Sequence, residues 1–491
     1  RQYMNNPLFD GFAPHWRHNF DLRMFSSLFL PPDNLRTGSY VLDKNSGTWG
    51  QGQLSKAGTP GMASLNSFPF QPASRGVTEA YFTRDDGYYL YFTSKDQGKT
   101  WATDSDVNYQ LSGIAPDATY PKGRWQLESP GHDREIYDGS NGALLEIRYR
   151  DGRVQYLSYY MSDTTPTTLR QVTDNFDRSI QFIWGSNSML AKLIDPDQQE
   201  FLFGYDSHNL LTSVTYPDGL TRLYHYDEPA HATPTRRSAV DGYLTGISDE
   251  VQAGRLVRRS TYTYNAKGLP VSTELAGGAE KYQFDYDTGS MTDPLGTVLK
   301  VGFVVKNGIK LQSSLSQPAG AGCAPSATQK TYDDNTNLIS TTDYNGAVTQ
   351  YTYYPGNLLK TKIEAVGTAQ QRTTSFEWHP SLRLPVKVAE PKLLTLYEYD
   401  SNGNLTGTSE QATLDATGAQ GLTPTVTGPV RKSSATYNAV GQILTKAEFV
   451  DGIEQTTRFQ YNPLDGNLES VTDEYGLTTR FSNYNMHGDV G

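Results

Sequence analysis

Tyr399-Asp400-Ser401-Asn402-Gly403-Asn404-Leu405 decides the fold of this chain because it recurs. Tyr followed by Asp or Asn, with Gly usually three residues further on, returns as Tyr264-Asn265-Ala266-Lys267-Gly268 and Tyr437-Asn438-Ala439-Val440-Gly441. With the Gly displaced, it returns at Tyr205-Asp206, Tyr332-Asp333 and Tyr461-Asn462. The spacings are 21 residues from Tyr205 to Tyr226, 22 from Tyr264 to Tyr286, 21 from Tyr332 to Tyr353, 24 from Tyr437 to Tyr461 and 23 from Tyr461 to Tyr484. A fixed period of this length marks a repeat architecture, in which each unit packs chiefly on its neighbours. Gaps of 38 (Tyr226 to Tyr264), 46 (Tyr286 to Tyr332) and 38 (Tyr399 to Tyr437) are near twice the period, which predicts a degenerate copy inside each. Trp378, 21 residues before Tyr399, fills a comparable place between Tyr353 and Tyr399.

Within the unit, Asp400 stands where a type I turn uses a side-chain acceptor, and Gly403 stands where positive φ costs nothing. A second turn follows about a dozen residues on, as in Tyr216-Pro217-Asp218-Gly219, Asp343-Tyr344-Asn345-Gly346 and Asp473-Glu474-Tyr475-Gly476. Two turns per repeat imply two strands per repeat. The residues between turns are alternating β-formers, as in Ala347-Val348-Thr349-Gln350-Tyr351-Thr352-Tyr353 and Leu477-Thr478-Thr479-Arg480-Phe481. Asn307-Gly308, within the run from Val301 to Leu311, predicts a tight hairpin. No room is left for crossover helices, so the strands must pair antiparallel.

On these residues the chain resembles the bacterial rearrangement-hot-spot (RHS) or YD-repeat proteins over roughly residues 140 to 491. The segment from Trp378-His379-Pro380 to Glu390-Pro391, running into Tyr397-Glu398-Tyr399-Asp400, is similar to one common in proteobacterial members. Phe12-Ala13-Pro14-His15-Trp16-Arg17-His18-Asn19-Phe20 looks like the start of the family's amino-terminal β domain. The resemblance implies an all-β fold in which the hairpins form one long curved antiparallel sheet wound as a hollow spiral shell. Residues 1–140 would cap it and residues 141–491 would form the repeat wall. It also implies a secreted or bacterial cell-surface protein without catalysis or cofactor. Its partners would be a carboxyl-terminal toxin or effector of the same parent chain, as in polymorphic toxins, and components of a secretion apparatus.

The 491 residues include 42 Lys and Arg against 53 Asp and Glu, a net charge of −11, which argues against a nucleic-acid partner. Hydrophobic content of 36%, counting 33 tyrosines, is thin for a domain packed on both faces. It suits a single curved sheet with one wet face better than a sandwich with a dry centre. A single cysteine, Cys323, leaves no internal disulfide or multi-cysteine zinc site, and it sits in a small-residue loop with no His close in sequence. No run of eighteen apolar residues is present, so no membrane span is expected in this piece. Arg1 is no initiator methionine and no charged-then-apolar leader follows it, so the chain reads as an excerpt with any export signal outside.

Before residue 140 the period is lost, but Tyr81 to Leu90 reads as a hairpin, and just past that boundary Glu146 to Tyr156, around Asp151-Gly152, reads as another. Ser94-Lys95-Asp96-Gln97-Gly98-Lys99-Thr100-Trp101 matches the Asp box that sialidase propellers repeat at their hairpins. One box, without an arginine cluster, is a folding device: Asp96 accepts backbone N–H groups, Gly98 supplies a permissive φ and Trp101 packs beneath.

No catalytic, cofactor or metal residue is assigned. His15 and His18 have the spacing of a helical metal pair but lie in a stretch without helical pattern and without a third ligand. Asp104-Ser105-Asp106-Val107-Asn108 opens like a calcium loop, but Tyr109 and Ala115 replace the required Gly and Glu. Gly185-Ser186-Asn187-Ser188-Met189 fails the nucleophile-elbow pattern at its final residue. Asp206, Asp218 and Asp400 sit at turn positions that explain them without chemistry. Asp293-Pro294-Leu295-Gly296 is similar to the motif that closes RHS shells and is cut in many members. Repeats continue far beyond it, so it reads as an ordinary repeat turn, with the closing motif and any toxin domain expected beyond Gly491. Two rival readings remain: a cell-surface adhesin whose exposed aromatics stack on carbohydrate, and a propeller glycosidase, which the lone Asp box supports least.

Overall fold

The computed structural model describes residues 78–485, apart from short breaks at 85–88, 105–106, 163–164, 187, 233–241, 320–323 and 451–452. Five short strands before residue 78 are also described. The chain divides into two compact units: Arg1–Ser129, Asp133–Tyr149 and Val154–Thr221 form one, and Pro130–His132, Arg150–Arg153 and Arg222–Gly491 form the other. The long-chain hairpin pattern holds throughout. Among the described residues the one helical element is a 3-10 turn at Ala276–Gly278.

In the first unit the strands run in chain order from Gln110–Ile114 to Leu211–Thr215, each antiparallel to the next. A smaller sheet pairs Met24–Ser26, Thr78–Thr83 and Tyr89–Ser94. Its alternating residues bury Phe82 and Phe92, whose rings meet edge-on at 5.7 Å, and Phe82 also meets Tyr137 at 5.1 Å. Leu127, Ile136, Leu144, Leu190, Leu211 and Val214 are buried as well, each worth about 1.5–3 kcal/mol of burial free energy. Beside this core, Arg84 forks onto the Glu135 carboxylate at 2.7 and 2.8 Å, and the Tyr137 hydroxyl donates to the same group. The partnered charge is what makes a buried carboxylate tolerable there.

The second unit is built differently. Its strands again follow chain order, from Thr221–Tyr226, which enters the unit at Arg222, to Thr478–Arg480. All are antiparallel, and Thr478–Arg480 pairs only with Leu468–Thr472 among the described residues, so this ladder ends on an open edge rather than closing. Among the described residues its buried apolar side chains are few and mostly small: Tyr224, Ala232, Leu244, Ala389 and Ala447. Ser248, Ser260, Ser375, Thr395 and Ser470 are buried beside them. A sheet with so little aliphatic filling is held mainly by its backbone ladder and cross-strand pairs, as the thin hydrophobic composition predicted.

The three wide gaps do not share one explanation. Between Tyr286 and Tyr332 lie four strands, Ser290–Thr292, Val298–Lys306, Ile309–Gln317 and Ser326–Tyr332, so a degenerate copy is present, with Phe303 in the aromatic place. Among the described residues, each 38-residue gap holds two strands. Leu244–Gln252 and Arg255–Tyr264 follow Tyr226, and Leu405–Thr413 and Val426–Tyr437 follow Tyr399. These described strands are long, 9 to 12 residues each, and counting residues in a sequence cannot separate an added strand from a lengthened one.

Candidate functional site

The feature that repeats, and therefore the candidate functional surface, is the hairpin with its aromatic. At Asp400 the backbone N–H donates to the Asn404 carbonyl and Gly403 N–H donates back to the Asp400 carbonyl, both at 3.0 Å. The Asp400 Oδ1 accepts from the N–H groups of Asn402 and Asn404 at 2.9 Å. A carboxylate or amide thus organises its own turn within five residues. The same pair of side-chain bonds recurs at Asp206, Asn265, Asp333 and Asn438. The second turns at Asp343 and Asp473 repeat it. The left-handed seat belongs to Gly403 at φ 80°, but to Asn209 and Thr336 at 62° and 64° in the units where Gly seemed displaced.

The tyrosine does the linking. Its hydroxyl crosses to the backbone carbonyl of an earlier hairpin: Tyr205 to Leu190 and Tyr353 to Leu338 at 2.8 Å, Tyr399 to Pro385 and Tyr437 to Leu405 at 2.9 Å, and Tyr484 to Leu468 at 2.7 Å. Trp184 and Trp378 keep the contact through their indole N–H, to Leu169 and Leu359. The acceptor is the residue that faces the previous aromatic: Leu338 faces Tyr332, Leu359 faces Tyr353, Pro385 faces Trp378 and Leu405 faces Tyr399. Each of these aromatics therefore locks onto the bulge made by the one before it, and runs of such locks follow one another along the ladder. Burial pushes the Tyr264 hydroxyl up to about 12 and raises those of Tyr353, Tyr399 and Tyr437, so all remain protonated donors near neutrality. On the opposite face, hydroxyl pairs bridge strands: Thr352 with Thr361 at 2.6 Å and Thr436 with Thr445 at 2.7 Å.

Two inserted loops carry further polar anchors that spacing alone could not reveal. Glu228 accepts two bonds from the Arg258 guanidinium, at 2.7 and 3.1 Å, and one from the Thr245 hydroxyl at 2.7 Å. The Arg258 bonds hold its carboxyl down at about 2 against desolvation. Asp415 is buried and accepts the N–H groups of Thr417, Gly418, Ala419 and Gln420. Loss of water there pushes its carboxyl up, but the backbone donors outweigh this and leave it below the ordinary range. Thr417 in turn accepts from Thr373 N–H at 2.8 Å, which docks the loop on a neighbouring hairpin.

The residues singled out in the sequence divide clearly. The Asp box forms in full: Asp96 accepts from Lys99 and Thr100 N–H and from the Ser94 and Thr100 hydroxyls, and Trp101 meets Trp125 edge-on at 5.6 Å. Asp293 makes the ordinary turn, accepting from Leu295 and Thr297 N–H, with Gly296 at φ 83°. Asn307 and Gly308, at φ 49° and 78°, join Val298–Lys306 to Ile309–Gln317 as expected of Asn-Gly. The strands around Tyr81 to Leu90 pair as a hairpin, as do Leu144–Arg148 and Val154–Ser162. Gly185 and Met189 close a turn. His15, His18, Ser105, Asp106, Asn187 and Cys323 lie outside the described residues. Among the described residues no three His, Cys, Asp or Glu side chains gather as metal ligands, and no helix is long and apolar enough to cross a membrane.

No protein-family model matches the chain. No curated protein matches it either. Among solved structures it is similar to the Photorhabdus luminescens Tc holotoxin pore carrying the mutation TccC3-D651A, at 11% identity and a TM-score of 0.41, over 84% of this chain and 26% of that one. It is similar to TcdB2-TccC3 without its hypervariable C-terminal region at 10% identity and 0.38, over 84% and 26%. A third likeness, TcdB2-TccC3, stands at 14% and 0.37, over 82% and 24%. The chain spans about a quarter of the length of these structures. The all-β ladder of hairpins predicted from the Tyr-Asp repeats is the architecture this chain has.

Proposed function

We propose that this chain is part of an RHS-type shell whose work is containment: residues 141–491 form a wall wound around a hollow, residues 1–140 cap it, and a carboxyl-terminal effector of the same parent protein is enclosed. The observation that carries the reading is the aromatic relay. Most of the repeat hairpins are bonded to a neighbour by the ladder and again by a tyrosine or tryptophan reaching back to the preceding bulge. Such double stitching makes a continuous wall out of a sheet that has little core to hold it. Turn carboxylates that cap hairpins, rather than converge, suit a structural role without catalysis. On this reading the parent protein is secreted. The test is limited proteolysis of a carboxyl-terminal cargo expressed in the parent protein and alone. Containment requires the enclosed cargo to survive at protease levels that degrade the free cargo, and equal cleavage of the two refutes it.

A further inference from the structure

Independently of any enclosed cargo, the first unit sets two phenols against one carboxylate. Alternation along Thr78–Thr83 turns Ala80 and Phe82 into the core and leaves Glu79 and Tyr81 together on the other face. Register with Tyr89–Ser94 makes Tyr91 the direct partner of Tyr81, so their side chains share that face. The two rings lie with centroids 4.8 Å apart and planes inclined by 35°. The Tyr91 hydroxyl donates to Glu79 Oε1 at 2.7 Å and the Tyr81 hydroxyl to Oε2 at 3.4 Å. Because both hydroxyls converge on one carboxylate, the ring carbons ortho to them are gathered on the same side. Both tyrosines are partly exposed, within reach of a small solute. Burial first, and then Glu79, push the Tyr81 hydroxyl up to about 12 and raise that of Tyr91. Neither is a phenolate near neutrality, so an electron taken from either ring must leave together with a proton handed to Glu79.

We propose that Tyr81 and Tyr91 are a site of oxidative cross-linking, joined as dityrosine by a one-electron oxidant with Glu79 as the proton acceptor. Each ring gives one electron to the oxidant and its phenolic proton to Glu79, which passes the first proton to solvent before the second ring reacts. The two tyrosyl radicals then form one carbon–carbon bond between their ortho positions, and the hydrogens on those carbons shift to the oxygens to restore both phenols. Two equivalents of oxidant are consumed in all, and the pair loses two hydrogens. The result is a covalent pin between the strands Thr78–Thr83 and Tyr89–Ser94. Tyr243 and Tyr264 in the second unit are the counter-example. Their centroids are 4.9 Å apart, but the Tyr264 hydroxyl donates to the Leu244 carbonyl, which cannot carry a proton away. A shared base, not proximity alone, selects Tyr81 and Tyr91.

The test is oxidation of the whole chain by hexachloroiridate near neutral pH, followed by proteolysis and tandem mass spectrometry of the monomer. A peptide joining Tyr81 to Tyr91, lighter than its two parts by the lost hydrogens, should be the dominant tyrosine cross-link and should carry dityrosine fluorescence. Tyr91→Phe keeps the ring and the register and should abolish it. Glu79→Gln still accepts both hydrogen bonds but takes no proton, so it should slow formation on the order of a hundredfold, the low end for loss of a positioned general base. Near-ultraviolet circular dichroism shows whether each variant keeps its aromatic packing. Absence of a Tyr81–Tyr91 cross-link in the unaltered chain overturns the proposal without need of any variant. So does a Tyr243–Tyr264 cross-link that forms as fast, or a correctly folded Glu79→Gln that cross-links at the unaltered rate.

Discussion

Replacing Tyr353 with Phe removes one atom and one bond, the 2.8 Å hydroxyl contact to the Leu338 carbonyl. The ring, its packing and the strand Val348–Tyr354 stay. A bond of this kind contributes about 0.5–1.5 kcal/mol, with more lost if the carbonyl is stranded from water. A cost of about 1 kcal/mol corresponds to a roughly fivefold increase in local opening. Because each hairpin contacts chiefly its neighbours, the effect should be local rather than global. Hydrogen exchange measured by mass spectrometry should therefore quicken about fivefold in the peptides covering Leu338–Thr342 and Val348–Tyr354. Peptides around Tyr437 should be unchanged. Tyr475→Phe, at a residue 78% exposed, is the control and should alter nothing. If Tyr353→Phe behaves like Tyr475→Phe, or if its effect spreads evenly over the second unit, the relay is not what stitches the hairpins together.

Thr336 holds a left-handed backbone at φ 64°, so Thr336→Gly should stabilise the Asp333 turn by about 1 kcal/mol, read as slower exchange of its amides. Conversely, a Cβ on Gly418 would stand 1.8 Å from the Thr373 carbonyl oxygen, so Gly418→Ala should unseat the 414–425 loop and open it to protease while distant hairpins stay protected. Arg258 holds the Glu228 carboxyl below its ordinary 4.5, at about 2, so the stability from this pair is complete above pH 4.5 and is lost as pH falls from there through about 2. Arg258→Ala should cost about 1 kcal/mol near neutrality, after discounting for a pair about a third exposed. It should also flatten the acid limb of a urea-denaturation series; an acid limb identical to that of the unaltered protein would count against the assignment.

The hairpins were legible because their causes are local. Asp400 reaches N–H groups two and four residues ahead, and Asn307-Gly308 adopts positive φ by itself, so both turns can be read without knowing what surrounds them. The Asp box around Asp96 was readable for the same reason. The tyrosine pair on Glu79 and the clamp on Glu228 were not, since each joins residues whose proximity depends on strand register. Asp415 was missed because an inserted loop has no period to betray it.

From the sequence alone came the period, the two-stranded unit, the antiparallel all-β class and the role of each turn carboxylate. Only the tertiary structure decided where the tyrosine hydroxyls go and that Phe303 marks a hidden unit. The division follows the reach of the forces. A turn is settled by bonds spanning about five residues of one chain, whereas a hydroxyl meeting a carbonyl fourteen or more residues away depends on every intervening strand having already paired in register.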